Sequence, residues 1–265
     1  MLVDSHCHLP NLRHKQKTAG ILDRAHQNGV EKVINVGTSI KESKEALEVA
    51  QEFDSVYATA GIYPHSDRDK NLKILKAELE NLLACAQENK IVGIGEGGID
   101  ITNWANGRSE QDQITLFEMQ LNLAAQFDLP MVIHNRNGKN QVLTALTRHK
   151  NQNPDQNLRG VMHCFAYDWE FAQKVLNLGL YLSFTGFITY NNKNDLLEVV
   201  RKVPDDRFLL ETDSPYNVPK PLTDKSNEPK NVKIVGQKVA EIKGFSFEKI
   251  AELSYRNSHE LFNLT

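Results

Sequence analysis

The chain has 265 residues, 40% hydrophobic and 25% charged, with 31 basic and 34 acidic side chains and a formal charge of −3. That is globular composition with enough apolar material for a large core, and it supplies no global positive field to attract a polyanion. The opening MLVDSHCHLP lacks a secretory pattern, no apolar run nears the ~18 residues of a membrane span, and the widely spaced Cys7, Cys85 and Cys164 argue against a disulfide framework, which together predict a soluble, cytoplasmic chain with no membrane attachment.

From the amino terminus, LVDSH (2–6) reads as a strand. Side chains two apart on a strand share a face, so His6 and His8 act together while Cys7 points elsewhere. KTAGILDRAHQNG follows as a helix stopped at Gly29, and KVINV (32–36) as the second strand. IKESKEALEVAQEF, VYATA (56–60), LKILKAELENLLACAQEN and IVGIG (91–95) continue the alternation. In EQDQITLFEMQLNLAAQF, Ile114, Phe117, Leu121 and Ala125 recur at helical spacing, with Asp112, Gln113, Glu118 and Gln126 among the polar positions, and predict a face that packs on a sheet. Pro130 separates this helix from MVIH (131–134). NQVLTALTRHK, GVMH (160–163), WEFAQKVLNLG with its stop at Gly179, YLSF (181–184), NDLLEVVRKV and FLLET (208–212) come next. NVPKPLTDKSNEPK (217–230) is the one long polar, proline-bearing loop, and a helical pair runs from about Lys230 onward. Eight strand-then-helix units predict an α/β fold, a (β/α)8 TIM barrel in a single domain over residues 1–265, close to the roughly 250 residues usual for that architecture. A doubly wound open sheet is the alternative, weakened by the lack of a Gly-x-Gly-x-x-Gly turn after the first strand.

In such a barrel the carboxy-terminal strand ends form the functional mouth. His6 and His8 close the first strand, Glu96 the fourth, His134 the fifth and His163 the sixth, and Asp213 follows the eighth, whereas His14, His26, His149 and His259 fall in helical or connecting segments. Four imidazoles and two carboxylates aimed at one rim suit one or two divalent cations of the Zn, Mn or Mg range. Glu96 comes from a strand between the two groups and is the candidate bridge between ions about 3.5–4 Å apart. Singly, each histidine reads more simply as a core residue, Glu96 as an ion-pair partner and Asp213 as a cap or turn residue, but the joint pattern outweighs those readings. Cys164 is expected to face away from the site as packing.

The stretches DSHCHL, GEGGID, PMVIHNR, HCF and ETDSPY resemble, in this order and spacing, signatures of the TatD-type metal-dependent deoxyribonucleases of the amidohydrolase superfamily. The similarity runs from Val3 to about Phe262 and takes in NEP (227–229) and RNSHELF. The resemblance implies a (β/α)8 barrel, two divalent metals, and hydrolysis of ester bonds with DNA as the usual substrate. It further implies that His6, His8, Glu96 and Asp213 hold one metal while Glu96, His134 and His163 hold the other. Glu96 stands where superfamily variants with a carbamylated bridge need a lysine. Two positions depart from the family pattern. Gly-x-His-Pro-His becomes GIYPH, with Tyr63 for the first histidine and only His65 remaining, and the Thr or Cys after the family's Gly-Glu becomes Gly97, without a hydroxyl or thiol.

The expected reaction is hydrolysis of a DNA phosphodiester, in single strands or at strand ends, by a water that two metals activate. Asp213 orients and deprotonates that water, Glu96 acts as the shared bridge, and His65, Tyr63 and Arg136 contact the substrate phosphate. Arg13, His14, Lys15 and Lys17, with Lys220, Lys225, Lys230 and Lys233, are local sources of positive charge, although solvated surface charge is the simpler account of any one. An amidase, deformylase or aminoacyl esterase of the same superfamily, on a small or tRNA-linked substrate, keeps the metals and changes the bond. A barrel without catalysis that serves as a binding module is a third reading, opposed by the presence of every proposed ligand. No obligate protein partner is evident in the sequence.

Overall fold

The computed structural model describes residues 1–10, 15–84, 90–154 and 158–265, so Arg13, His14 and Cys85, together with the side chain of Lys15, lie outside the described residues. Eight parallel strands hydrogen-bond in sequence order: β1 (Leu2–Cys7), β2 (Val30–Val36), β3 (Val56–Ala60), β4 (Ile91–Asp100), β5 (Met131–Arg136), β6 (Gly160–Met162), β7 (Tyr181–Phe184) and β8 (Phe208–Leu210). The helices α1 (Lys15–Gln27), α2 (Ile40–Glu52), α3 (Leu72–Leu83), α4 (Glu110–Gln126), α5 (Lys139–Gln152), α6 (Trp169–Asn177), α7 (Asn194–Lys202), α8 (Val232–Lys243) and α9 (Phe247–Phe262) alternate with them. This is the expected (β/α)8 TIM barrel. Among the described residues no helix is long and apolar enough to cross a membrane.

The barrel closes where the first strand meets the last. Cys7 and Ser214 form a parallel bridge, the His8 amide donates to the Ser214 carbonyl at 2.7 Å, and the Asp213 amide donates to the His6 carbonyl at 2.9 Å. Deeper in the same seam, the buried Asp4 carboxylate accepts from the Thr212 amide at 2.8 Å and from the Thr212 hydroxyl at 2.6 Å. Every strand contributes to one apolar cluster, including Val3, Ile34, Tyr57, Val92, Val132, Val161, Tyr181 and Leu209, which Leu261, Phe262 and Leu264 help to close. Side chains from all eight strands can meet only inside a barrel, so this cluster fills the lumen as parallel-barrel packing requires. The mouth is therefore a floor of side chains rather than a channel.

Helix α4 departs from its expected pattern in an informative way. Phe117 and Leu121 are fully buried as anticipated, but Ile114 and Ala125 are only half-buried, and two glutamines join the buried face. Gln113 accepts from the Asp100 amide at 2.8 Å and donates to the Asp100 carbonyl at 3.0 Å. Two turns along the same face, Gln120 repeats the arrangement on Ile62, at 2.8 and 3.0 Å. Buried backbone polar groups must be paired, and these amides do so where β4 and the segment after β3 run past their ladders. Gln113, expected among the outward polar positions, is thus a fixing point for the rim.

Candidate metal centre

His6 and His8 leave β1 on the same side, with their Nε2 atoms 3.4 Å apart, as strand alternation predicts. His8 Nδ1 lies 3.2 Å from the Val36 carbonyl and donates to it, which leaves the Nε2 lone pair for the site. β4 runs five residues beyond the expected end at Gly95 and stays paired with β5 as far as Asp100 opposite Arg136. Glu96 is the first residue of this extension. A Cβ on Gly61 would lie 2.4 Å from the Gly95 backbone, so only glycine lets the chain after β3 approach β4 this closely behind Glu96.

The two oxygens of Glu96 face different partners. Oε2 lies 3.5 Å from His6 Nε2 and 3.9 Å from His8 Nε2, while Oε1 lies 2.6 Å from His134 Nδ1 and 3.1 Å from His163 Nε2. Asp213 Oδ1 completes the first group at 3.7 Å from His6 Nε2 and 3.5 Å from His8 Nε2. The structure thus brings together all six residues singled out at the strand ends. Donors arranged around one tetrahedral cation at bond lengths of about 2.1 Å stand about 3.4 Å apart, close to the spacing within the His6, His8, Glu96 and Asp213 group. Among the described residues, His6 Nδ1 and both ring nitrogens of His134 are buried without a well-aligned hydrogen-bond partner, although His134 Nδ1 lies 2.6 Å from Glu96 Oε1. Of these, His134 Nδ1 points at Glu96, where a cation would satisfy it, and among the described residues three overlapping triplets fit a divalent metal: His6–His8–Glu96, Glu96–His134–His163 and His6–His163–Glu211.

The electrostatics follow from this crowding. Burial would raise Glu96, but His163, His134 and His6 override it and hold the carboxylate well below its usual range. Burial would lower His163, but Glu96 and Glu211 override it and hold the imidazolium well above 6.5. His6 is pulled down by burial and by the neighbouring His163 charge, and the two rings stack at 4.0 Å.

Several residues that sequence reasoning missed support the centre. Glu211 is buried beneath His163, with Oε1 3.2 Å from His163 Nδ1, and also accepts from the Cys164 amide at 2.8 Å and from the Ser183 hydroxyl. Asp100 Oδ2 faces His134 Nε2 at 3.6 Å and accepts from the Tyr63 hydroxyl, and Asp100 Oδ1 accepts from the Thr102 hydroxyl at 2.6 Å. Carboxylates behind imidazoles fix ring orientation and raise ligand basicity. Asn217, in the loop after β8, donates to Asp213 Oδ2 at 2.6 Å.

The expected substrate contacts divide. Arg136 is exposed, lines the mouth, and makes no ion pair or side-chain hydrogen bond among the described residues. Tyr63 lines the same pocket, but its hydroxyl is engaged with Asp100, and burial together with that bond pushes its pKa far above the usual phenol value. His65 has neither ring nitrogen free for substrate: Nδ1 accepts from the Arg108 amide at 3.1 Å and Nε2 donates to the Asp100 carbonyl at 3.0 Å. The expectation that His65 touches substrate is corrected on that ground, and the ring acts as a strut. Cys164 is a second correction. β6 ends at Met162, Cys164 turns with φ 47°, and its side chain lines the pocket instead of facing away. Burial and the Asp213 and Glu211 carboxylates push its pKa up, so it stays a thiol. Among the described residues Arg136 is the only Lys or Arg lining the pocket, and none of Lys17, Lys220, Lys225, Lys230 and Lys233 does so. The mouth encloses about 1040 Å³ above these groups.

The family model of TatD related DNases matches residues 3–263. The chain belongs to the TatD family. A Bacillus subtilis relative named as the uncharacterized metal-dependent hydrolase YabD is 34% identical over 265 residues, covering 100% of both chains. A Salmonella typhimurium relative named as the 3'-5' ssDNA/RNA exonuclease TatD is 28% identical over 249 residues, covering 92% of each. The crystal structure of YjjV, a TatD homolog from Escherichia coli K12, superposes with a TM-score of 0.89 at 27% identity, covering 100% of this chain and 98% of that one. With its histidine and glutamate clusters, this TatD-family chain is a metal-dependent hydrolase.

Proposed function

We propose that the chain hydrolyses phosphodiester bonds in DNA, in single strands or at strand ends, with two divalent cations of the Zn, Mn or Mg range shared through Glu96. The observation that carries this reading is the division of Glu96, one oxygen toward His6 and His8 and the other toward His134 and His163. Asp213 joins the first group and Arg136 stands unpaired at the rim. The exonuclease name of the Salmonella relative supports nucleic acid over other esters.

The cations, when bound, would acidify water and offset charge on phosphate oxygens. Arg136 would hold a non-bridging phosphate oxygen. Asp213, with Oδ2 held by Asn217, would present Oδ1 as the proton acceptor for the attacking water. Tyr63 and His65 would act behind the reacting atoms, Tyr63 through Asp100 on His134 and His65 through the Asp100 carbonyl. Residues 1–265 serve this reading as one domain, because β1 and β8 form a single seam around the centre.

The test is to incubate chelator-treated protein with single-stranded DNA, duplex DNA and a panel of small esters and amides, adding Mg, Mn or Zn in turn. Nucleotide release only with metal is expected, and Asp213→Asn should lower it about 10²–10⁴-fold without loss of fold. Ester or amide turnover with intact DNA would overturn the reading.

A further inference from the structure

Large apolar side chains left in water are unusual where they cluster around a polar site. Among the described residues Trp104 is 49% exposed and Tyr216 is 62% exposed, and both line the pocket that holds Glu96 and Asp213. The other exposed large hydrophobics, Met1, Ile74 and Phe245, are not part of that pocket.

The two rings are tied to opposite arms of the centre. Trp104 stacks on His65 at 5.0 Å with planes 29° apart, and Tyr63 bridges from Trp104, 6.1 Å away, to His134 at 4.8 Å. His65 is itself held by two backbone bonds, so the indole rests on a fixed support with its outer surface open. On the other arm Tyr216 stands edge-on to His8 at 6.0 Å, and its amide donates to the Asp213 carbonyl at 2.8 Å. Neither the Trp104 indole nitrogen nor the Tyr216 hydroxyl has a hydrogen-bond partner among the described residues. Burial does not explain these rings, nor does a polar tether.

Resting on the nucleic-acid reading above, we propose that Trp104 and Tyr216 are stacking platforms for nucleobases on either side of the scissile phosphate of a single strand. Every base has a π-face, so aromatic platforms bind single strands with little regard to sequence. A duplex hides its bases and brings a second phosphate backbone. The rim meets those features with one unpaired cation, Arg136, and with the acidic Glu42 and Glu45 in the same lining, which suits one unstacked strand and opposes two backbones.

The chain has two tryptophans, and Trp169 lies in α6 outside the pocket, so Trp169→Phe leaves Trp104 as the sole indole reporter. In chelator, an oligothymidylate should quench that fluorescence saturably, and an abasic strand of equal length should bind at least about 10-fold more weakly. With metal restored, Trp104→Ala and Tyr216→Ala should each cut the kcat/KM preference for base-bearing over abasic strands by about 5- to 100-fold, while Trp104→Phe and Tyr216→Phe retain most of it. Absence of quenching up to millimolar oligothymidylate, equal binding of the abasic strand, or an unchanged preference in the alanine variants would each overturn the proposal. Quenching without hydrolysis in any metal would leave the platforms standing and remove the nuclease reading instead.

Discussion

Asn217 Nδ2 sits 2.6 Å from Asp213 Oδ2 and 3.4 Å from Cys164 Sγ, so the amide clamps the outer oxygen of Asp213 while Oδ1 turns to His6 and His8. A hydrogen bond to a charged group contributes about 1.5–3 kcal/mol, and here it selects one carboxylate rotamer. Asn217→Ala should lower kcat about 10-fold in metal-saturated enzyme with KM within about twofold, and Asn217→Asp should lower it further through like-charge contact. Steady-state kinetics on one oligonucleotide decides the matter. A change confined to KM would show that Asn217 serves binding and not the orientation of Asp213.

The proposed sharing of two cations through Glu96 predicts an asymmetry in metal content. His134→Ala should remove one of two bound cations, because His134 faces only Oε1, whereas Glu96→Gln should weaken both. Elemental analysis after dialysis against trace zinc reads the stoichiometry directly. Equal loss in the two variants would mean that the centre does not divide at Glu96.

Metal uptake should release protons. A ligating histidine must be neutral, but against the pull of burial Glu96 and Glu211 keep His163 charged well above 6.5 in the metal-free protein, and neighbouring carboxylates raise His8 and His134 as well, whereas His6, already pulled down, gives up none. Cation affinity should therefore rise with pH up to those elevated values, by as much as about tenfold per unit for each proton released. Stability of the metal-free protein follows the same groups. The Glu96 contribution is present above 4.5 and lost as pH falls through its depressed value, and the His163 contribution is present below 6.5 and lost as pH rises through its raised value. Both are whole between 4.5 and 6.5, where His163→Gln should cost most in melting temperature. Calorimetric zinc titrations in two buffers of different ionisation heat count the protons, and a buffer-independent enthalpy would refute their release.

Restoring the family's larger residue at position 97 should harm this chain. A Cβ on Gly97 would lie 2.7 Å from Gln120 Nε2, and Gln120 is fully buried and pinned to both backbone groups of Ile62. Gly97→Thr should thus destabilise by about 1–3 kcal/mol, read from chemical denaturation. An unchanged midpoint would show that Gln120 can yield.

Periodicity makes the candidate centre legible at or just past the strand ends: alternation pairs His6 with His8, and position marks His134 and His163. The supports are not legible in this way, for identifiable reasons. Asp100 was hidden because the glycine-rich GEGGID carries no β-branched pattern, although the backbone stays extended there. Glu211 fell inside an apparent strand, and only the fold brings it under a histidine 48 residues away. Strand alternation misplaces Cys164 because β6 ends at Met162 and Cys164 itself takes a left-handed conformation. His65 showed the converse limit, since composition and motif cannot reveal that both its nitrogens are already bonded to backbone.

The seam between β1 and β8 gives the centre a further property. Asp4 and Thr212 join strands 208 positions apart, and His6, His8 and Asp213 project from the lip of that same junction. Cation and barrel closure are then thermodynamic partners: whatever parts the two strands disperses the donors, and whatever gathers the donors draws the strands shut. Such an enzyme would fall silent at the first breathing of its joint, well before the rest of the wall gave way, and amide exchange along that joint would slow most when metal is supplied.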